Sequence, residues 1–136
     1  MQTNDQKFFH GNNGKAVLLI HGITSGAAQM VPMAKFLNDY GYSVWCVNLA
    51  GHGTFPQELL HTSCEDFIAK AEYDYKYLRK YFDTVYVGGL STGGCLSLYL
   101  AANYPEISGI IPISSLLRLR KGTFMTDEYP EDQIYF

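Results

Sequence analysis

Four short apolar runs punctuate the chain: Ala16-Val17-Leu18-Leu19-Ile20, Ser43-Val44-Trp45-Cys46-Val47, Thr84-Val85-Tyr86-Val87-Gly88 and Gly109-Ile110-Ile111-Pro112-Ile113. Each is continuous rather than alternating, the pattern of a strand buried on both faces. Pro112 cannot donate to a ladder, so the fourth strand is predicted to end there or to lie at an edge. Between the runs the period lengthens. Met30, Met33, Ala34, Leu37 and Tyr40 recur at helical spacing and Gly41 supplies a stop. Thr62-Ser63-Cys64-Glu65 reads as a capping box, followed by Phe67, Ala71, Tyr75, Leu78 and Phe82 on one face. A third helix, from Gly93 to about Asn103, is apolar nearly all round and stops before Pro105, which marks it as buried.

Strands alternating with helices predict an α/β fold, a three-layer sandwich around a mostly parallel sheet with right-handed crossovers. Ligands in such folds bind beyond the C-terminal strand ends, so chemistry is to be sought in those loops.

A length of 136 residues suits a single domain over 1–136. With 47 % hydrophobic and 17 % charged residues, the chain is not a disordered one. A net charge of −3 gives no reason to seek nucleic acid or an anionic surface. The one basic cluster, Arg118-Leu119-Arg120-Lys121, is offset by Asp127, Glu128, Glu131 and Asp132. The longest aliphatic run, Ala16–Ile20, is too short to span a bilayer, and the first ten residues lack signal-peptide character. A cytoplasmic protein is expected. Cys46, Cys64 and Cys95 have neither zinc-ligand nor redox-pair spacing and are expected to be small buried hydrophobes. No metal or organic cofactor is implied.

The third run leads directly into Gly89-Leu90-Ser91-Thr92-Gly93-Gly94 and then a helix. This is G-x-S-x-G in the strand–turn–helix setting that the motif requires. A serine on so sharp a turn needs glycine two positions either side, because a side chain there would meet neighbouring backbone. In return its Oγ is exposed at a helix N-terminus, where free N–H groups favour developing negative charge. A phosphate loop is excluded by the absence of Gly-Lys-Ser/Thr and of dinucleotide spacing. The first run ends in His21-Gly22-Ile23-Thr24. Small residues there let the loop approach a substrate, so the N–H groups of Ile23 and Thr92 are candidates for an oxyanion hole. Gly51-His52-Gly53-Thr54 forms a third loop at the same sheet edge.

These landmarks together resemble the α/β-hydrolase family, and within it the bacterial carboxylesterases and monoacylglycerol lipases. The matching residues are Leu18-Leu19-Ile20-His21-Gly22, Gly51-His52-Gly53, Pro56-Gln57-Glu58-Leu59-Leu60-His61-Thr62 and Gly89-Leu90-Ser91-Thr92-Gly93-Gly94. By that resemblance the four runs correspond to the family's third to sixth strands. Ser91 corresponds to its nucleophile, with Ile23 and Thr92 as the oxyanion residues. The implied function is hydrolysis of small-molecule acyl esters through an acyl-enzyme on Ser91, without a cofactor. Phe55 and Leu116, with Ile23, would give the substrate mouth an apolar lining.

The family's chain order is Ser, then Asp or Glu, then His. Here His10, His21, His52 and His61 all precede Ser91, and no histidine follows it. The chain thus resembles the N-terminal part of the domain, ending after the sixth family strand with the triad incomplete. His21, at a neighbouring strand end, is the first substitute to consider, though its ring would have to turn toward Ser91. Two alternatives to a hydrolase stand beside this reading: a non-catalytic binding domain, or half of a two-chain enzyme. The bare edge of Gly109–Ile113 leads us to expect a homo-oligomer, or a complementary C-terminal fragment paired with it.

Overall fold

The computed structural model describes residues 7–53 and 55–118. Thr54 and the basic and acidic clusters beyond Arg118 lie outside them. Five strands and four helices alternate: β1 Lys7–Phe9, β2 Lys15–Ile20, α1 Val31–Asp39, β3 Ser43–Val47, α2 Pro56–Leu60, α3 Cys64–Arg79, β4 Thr84–Leu90, α4 Thr92–Asn103 and β5 Gly109–Ile113. The sheet order is β1-β3-β2-β4-β5. All neighbours are parallel except β1, which runs antiparallel to β3 with Phe8 opposite Trp45. The four expected strands are all present, but β5 is not buried on both faces as its apolar run predicts: Ile110, Pro112 and Ile113 are exposed, because no described element covers that edge. Pro112 lies within β5 rather than ending it, opposite Gly89 in the sheet's outermost described strand, where a missing N–H costs least.

The strand pleat divides the core into two layers. On one face Ala16, Leu18 and Ile20 of β2 pack with Val85 and Val87, covered by Phe67, Ala71, Tyr75 and Leu78 of α3 and by Leu96 and Leu100 of α4. On the other, Val17 and Leu19 meet Val44, Cys46, Met30 and Ala34. Every residue of β2 after Lys15 is buried, which is why its sequence carries no alternation.

Some details depart from the pattern read along the chain. Tyr40 ends its helix exposed, its ring against Phe36 rather than the core. Phe82 falls after α3 but still packs against the core. The last turn of α4 emerges from the core, with Ala102 and Asn103 exposed. Among the cysteines only Cys46 is buried; Cys64 is exposed in the first turn of α3, and Cys95 is half-buried. The capping box sits one residue later than expected. Ser63 is the N-cap, its Oγ accepting from the Asp66 N–H at 3.2 Å, while the Asp66 carboxylate accepts from the Ser63 N–H at 2.8 Å. The Thr62 hydroxyl is engaged elsewhere, donating to the Glu58 carbonyl at 2.8 Å.

Ser63→Ala is therefore expected to cost about 1 kcal/mol of stability and Thr62→Ala about half that, measured by urea denaturation. Equal effects would contradict the shifted cap.

Candidate active site

The C-terminal ends of β2, β3 and β4 bring three loops to one edge of the sheet. Ser91 stands between β4 and α4 with φ 55° and ψ −111°, a left-handed conformation that few non-glycine residues adopt. The cause is crowding on both sides. A methyl group on Gly89 would come within 2.4 Å of the Gly93 carbonyl carbon and 2.5 Å of the Ile20 oxygen. One on Gly93 would come within 2.0 Å of that same Ile20 oxygen. The turn can therefore close only where both residues lack a side chain, and closing it holds Ser91 at the helix entrance. Its N–H donates to the Ile113 carbonyl at 2.8 Å, and its carbonyl accepts from the Cys95 N–H at 3.0 Å.

The His21-Gly22 loop lies directly beside this turn. A methyl group on Gly22 would be 3.7 Å from Ser91 Cβ and 3.4 Å from the Leu90 oxygen. Ile23, the next residue, is about half exposed, and Thr92, at the first position of α4, is half-buried. The loop that carries Ile23 thus lies beside Ser91 and Thr92 at one end of the sheet. Phe55, the N-cap residue of α2, is strongly exposed. Leu116 follows β5, and its carbonyl accepts from Cys95 Sγ at 3.3 Å, one turn along α4 from Ser91.

The histidines resolve differently. His21 is completely buried; its Nε2 accepts from the Leu49 N–H at 3.0 Å, so the ring proton sits on Nδ1 and is donated to the Gly22 carbonyl at 2.7 Å. His52 is arranged likewise, with Nε2 accepting from the Thr24 N–H at 3.1 Å and Nδ1 donating to the Ala50 carbonyl at 2.9 Å. Both nitrogens of each ring are committed to backbone. Neither can take a proton from Ser91 in this arrangement. His10 and His61 are exposed, in the segment after β1 and at the end of α2. Sequence reasoning gave His21 and His52 a place near the chemistry but missed what they hold; their burial and backbone partners carry no local signal.

Burial pushes the His21 ring down to about 4; the Gly22 carbonyl opposes this and the nearby His52 adds to it. Its rings and those of His52 meet edge-on at 4.8 Å. Among the described residues no group of three or more His, Cys, Asp or Glu side chains could hold a metal, and no helix is long and apolar enough to cross a membrane.

The parallel sheet covered on both faces, with a strained serine turn leading into a buried helix, is the α/β-hydrolase fold. The chain belongs to the Hydrolase_4 family, serine aminopeptidase S33, whose model matches residues 11–130. It is 39 % identical over 110 residues to a thermostable monoacylglycerol lipase of Bacillus sp. (strain H-257), covering 81 % of this chain and 44 % of that protein. It is 36 % identical over 112 residues to a carboxylesterase of Bacillus subtilis (strain 168), covering 82 % and 45 %. Among solved structures it resembles one reported with LipS and LipT, two metagenome-derived lipolytic enzymes, with TM-score 0.82 and 30 % identity over 91 % of this chain and 53 % of that one. The chain thus spans about half the length of the curated relatives it matches.

Two outcomes follow. Gly93→Ala is expected to lose about 3 kcal/mol by denaturant titration, since its methyl group would displace the Ile20 backbone. His21 stays neutral in the fold down to about pH 4 but takes a proton near 6.5 when unfolded. The unfolded state therefore binds more protons in that window. Stability should be intact above pH 6.5 and fall by about 3 kcal/mol as pH drops to 4. Buried Asp74, whose carboxyl is raised by burial against the pull of Lys70, slopes the other way. The difference between the parent and His21→Asn curves isolates the histidine, and parallel curves would refute its assignment.

Proposed function

We propose that the chain forms the acyl-binding half of a serine hydrolase of carboxylic esters, of carboxylesterase or monoacylglycerol-lipase type. The observation that carries this reading is the conformation of Ser91, held at φ 55° by two side-chain-free neighbours and set beside the Gly22 loop. Strain of this kind costs on the order of 1–3 kcal/mol and persists where the surrounding structure enforces it. Here it presents Oγ at the mouth of α4. In the proposed reaction Oγ attacks the ester carbonyl, the alcohol leaves with a proton, and water later releases the acid from the acyl-serine. The N–H groups of Ile23 and Thr92 would receive the carbonyl oxygen as it gains negative charge. Ile23, Phe55 and Leu116 would offer apolar surface to the acyl group.

The attack also needs a base. His21 and His52 are excluded by their backbone hydrogen bonds. We place the histidine and its acidic partner in polypeptide that packs alongside β5, continuous with this chain or separate from it. The exposed Ile110 and Ile113 on that edge support such pairing. The reduced alternative, a domain that binds without turnover, shares the turn but not the reactive serine.

Incubation with a fluorophosphonate, in the presence of the polypeptide that supplies the base, followed by intact mass tests the assignment. A single phosphonyl adduct is expected on the parent chain and none on Ser91→Ala, which should unfold at the same denaturant concentration. An adduct that survives the substitution, or a folded chain that never labels with the base supplied, would refute it.

A further inference from the structure

We propose that His52 is a positioning residue for the loop carrying Ile23, acting in a reciprocal pair with His21. The two loops involved follow adjacent parallel strands, β2 and β3. Each sends its histidine across to the other's backbone. His21, at the end of β2, accepts the N–H of Leu49, and His52, beyond β3, accepts the N–H of Thr24. Asn48 strengthens the junction, its Oδ1 accepting from the Ala27 N–H at 3.3 Å while its Nδ2 donates to the His52 carbonyl at 2.8 Å.

The geometry around Ile23 gives this pairing a consequence. The amide before it, Gly22 N–H, donates to Gln29 Oε1 at 2.9 Å, and the amide after it, Thr24 N–H, donates to His52 Nε2. Side chains thus hold the peptide units before and after the Gly22–Ile23 unit, and the carbonyl of that unit accepts from His21 Nδ1 at 2.7 Å, fixing the direction of the Ile23 N–H. Thr24 has φ 63°, a left-handed conformation for a β-branched residue that relaxes unless something holds it. His52 is the side chain that holds it. The ring is almost wholly buried, seated between His21 and Phe67, with ring centroids 4.8 and 5.4 Å away. A phenyl group there would fill the space but leave the Thr24 N–H without its acceptor.

The effect on reaction rests on the proposed role of Ser91, whereas the hydrogen-bond pairing does not. A misplaced donor of about 1 Å costs on the order of 10²-fold in rate. We therefore compare the full chain, with the base-supplying polypeptide present for labelling, with His52→Phe, which keeps ring packing, and His52→Gln, whose Oε1 replaces the acceptor.

Nitrogen-15 imidazole shifts should place the proton on Nδ1 of both rings, and Thr24 amide exchange should be slow in the parent, fast in His52→Phe and slow again in His52→Gln. Fluorophosphonate labelling of Ser91 should fall at least about tenfold in His52→Phe and recover to within about threefold in His52→Gln. A proton on His52 Nε2 in the parent, equal Thr24 exchange in parent and His52→Phe, or equal labelling of the two would each overturn the proposal. The first needs no variant to fold. If the parent itself does not label, the serine assignment fails separately, and tautomer and amide exchange still decide the pairing.

Discussion

The carbonyl oxygen of Ile20 is the point about which this fold is organised. Gly93 approaches it so closely that a methyl group would lie at 2.0 Å, and Gly89 presses on it from the other side. That contact lets α4 start directly beneath the end of β2, and it turns the chain at Ser91 through a conformation that an L-residue otherwise avoids. Everything at the sheet edge follows from it. With α4 so placed, Leu96 and Leu100 cover the central strands and the β2 loop comes to rest against the serine. The energy of the turn is offset by the packing on both faces of β2, a strand with no exposed residue after Lys15.

Hydrogen bonding then fixes what packing leaves free. Loops that leave parallel strands carry backbone donors that the ladder no longer satisfies. At this edge buried histidines take up two of them, and Asn48 and Gln29 take up two more. A histidine used this way must remain neutral, with its lone pair aimed at an amide. That requirement disqualifies it as the base for Ser91 and explains why burial holds the His21 ring near 4. Scaffold and reaction place incompatible demands on one imidazole. In our reading the reaction therefore draws its base from beyond β5.

β2, β3 and β4 were legible because a largely buried strand writes a continuous apolar run, and the serine turn because its glycines are a steric necessity; β5 writes the same run although Ile110 and Ile113 are exposed in it. Other features were not. Lys7-Phe8-Phe9 forms a strand only through its register with Val44, Trp45 and Cys46, a long-range pairing with no local mark. Thr62 and Ser63 each stand three residues before an acidic side chain, and only the Glu58 carbonyl, by engaging the Thr62 hydroxyl, decides between them. His21 and His52 advertise chemistry by residue type, while the amides that their Nε2 atoms accept come from loops 28 residues away in sequence. Local pattern reports what a residue can do; the partners brought by the fold determine what it does.

The central claim is that Ser91 and the neighbouring loop together form a site for a tetrahedral oxyanion. A crystal structure of the chain carrying a phosphonate on Ser91 measures it most directly. The expected structure has phosphorus bonded to Ser91 Oγ and one phosphoryl oxygen within hydrogen-bond distance of the N–H groups of both Ile23 and Thr92. A phosphoryl oxygen turned to solvent with neither amide near it, or phosphorus bonded to any other side chain, would contradict the account.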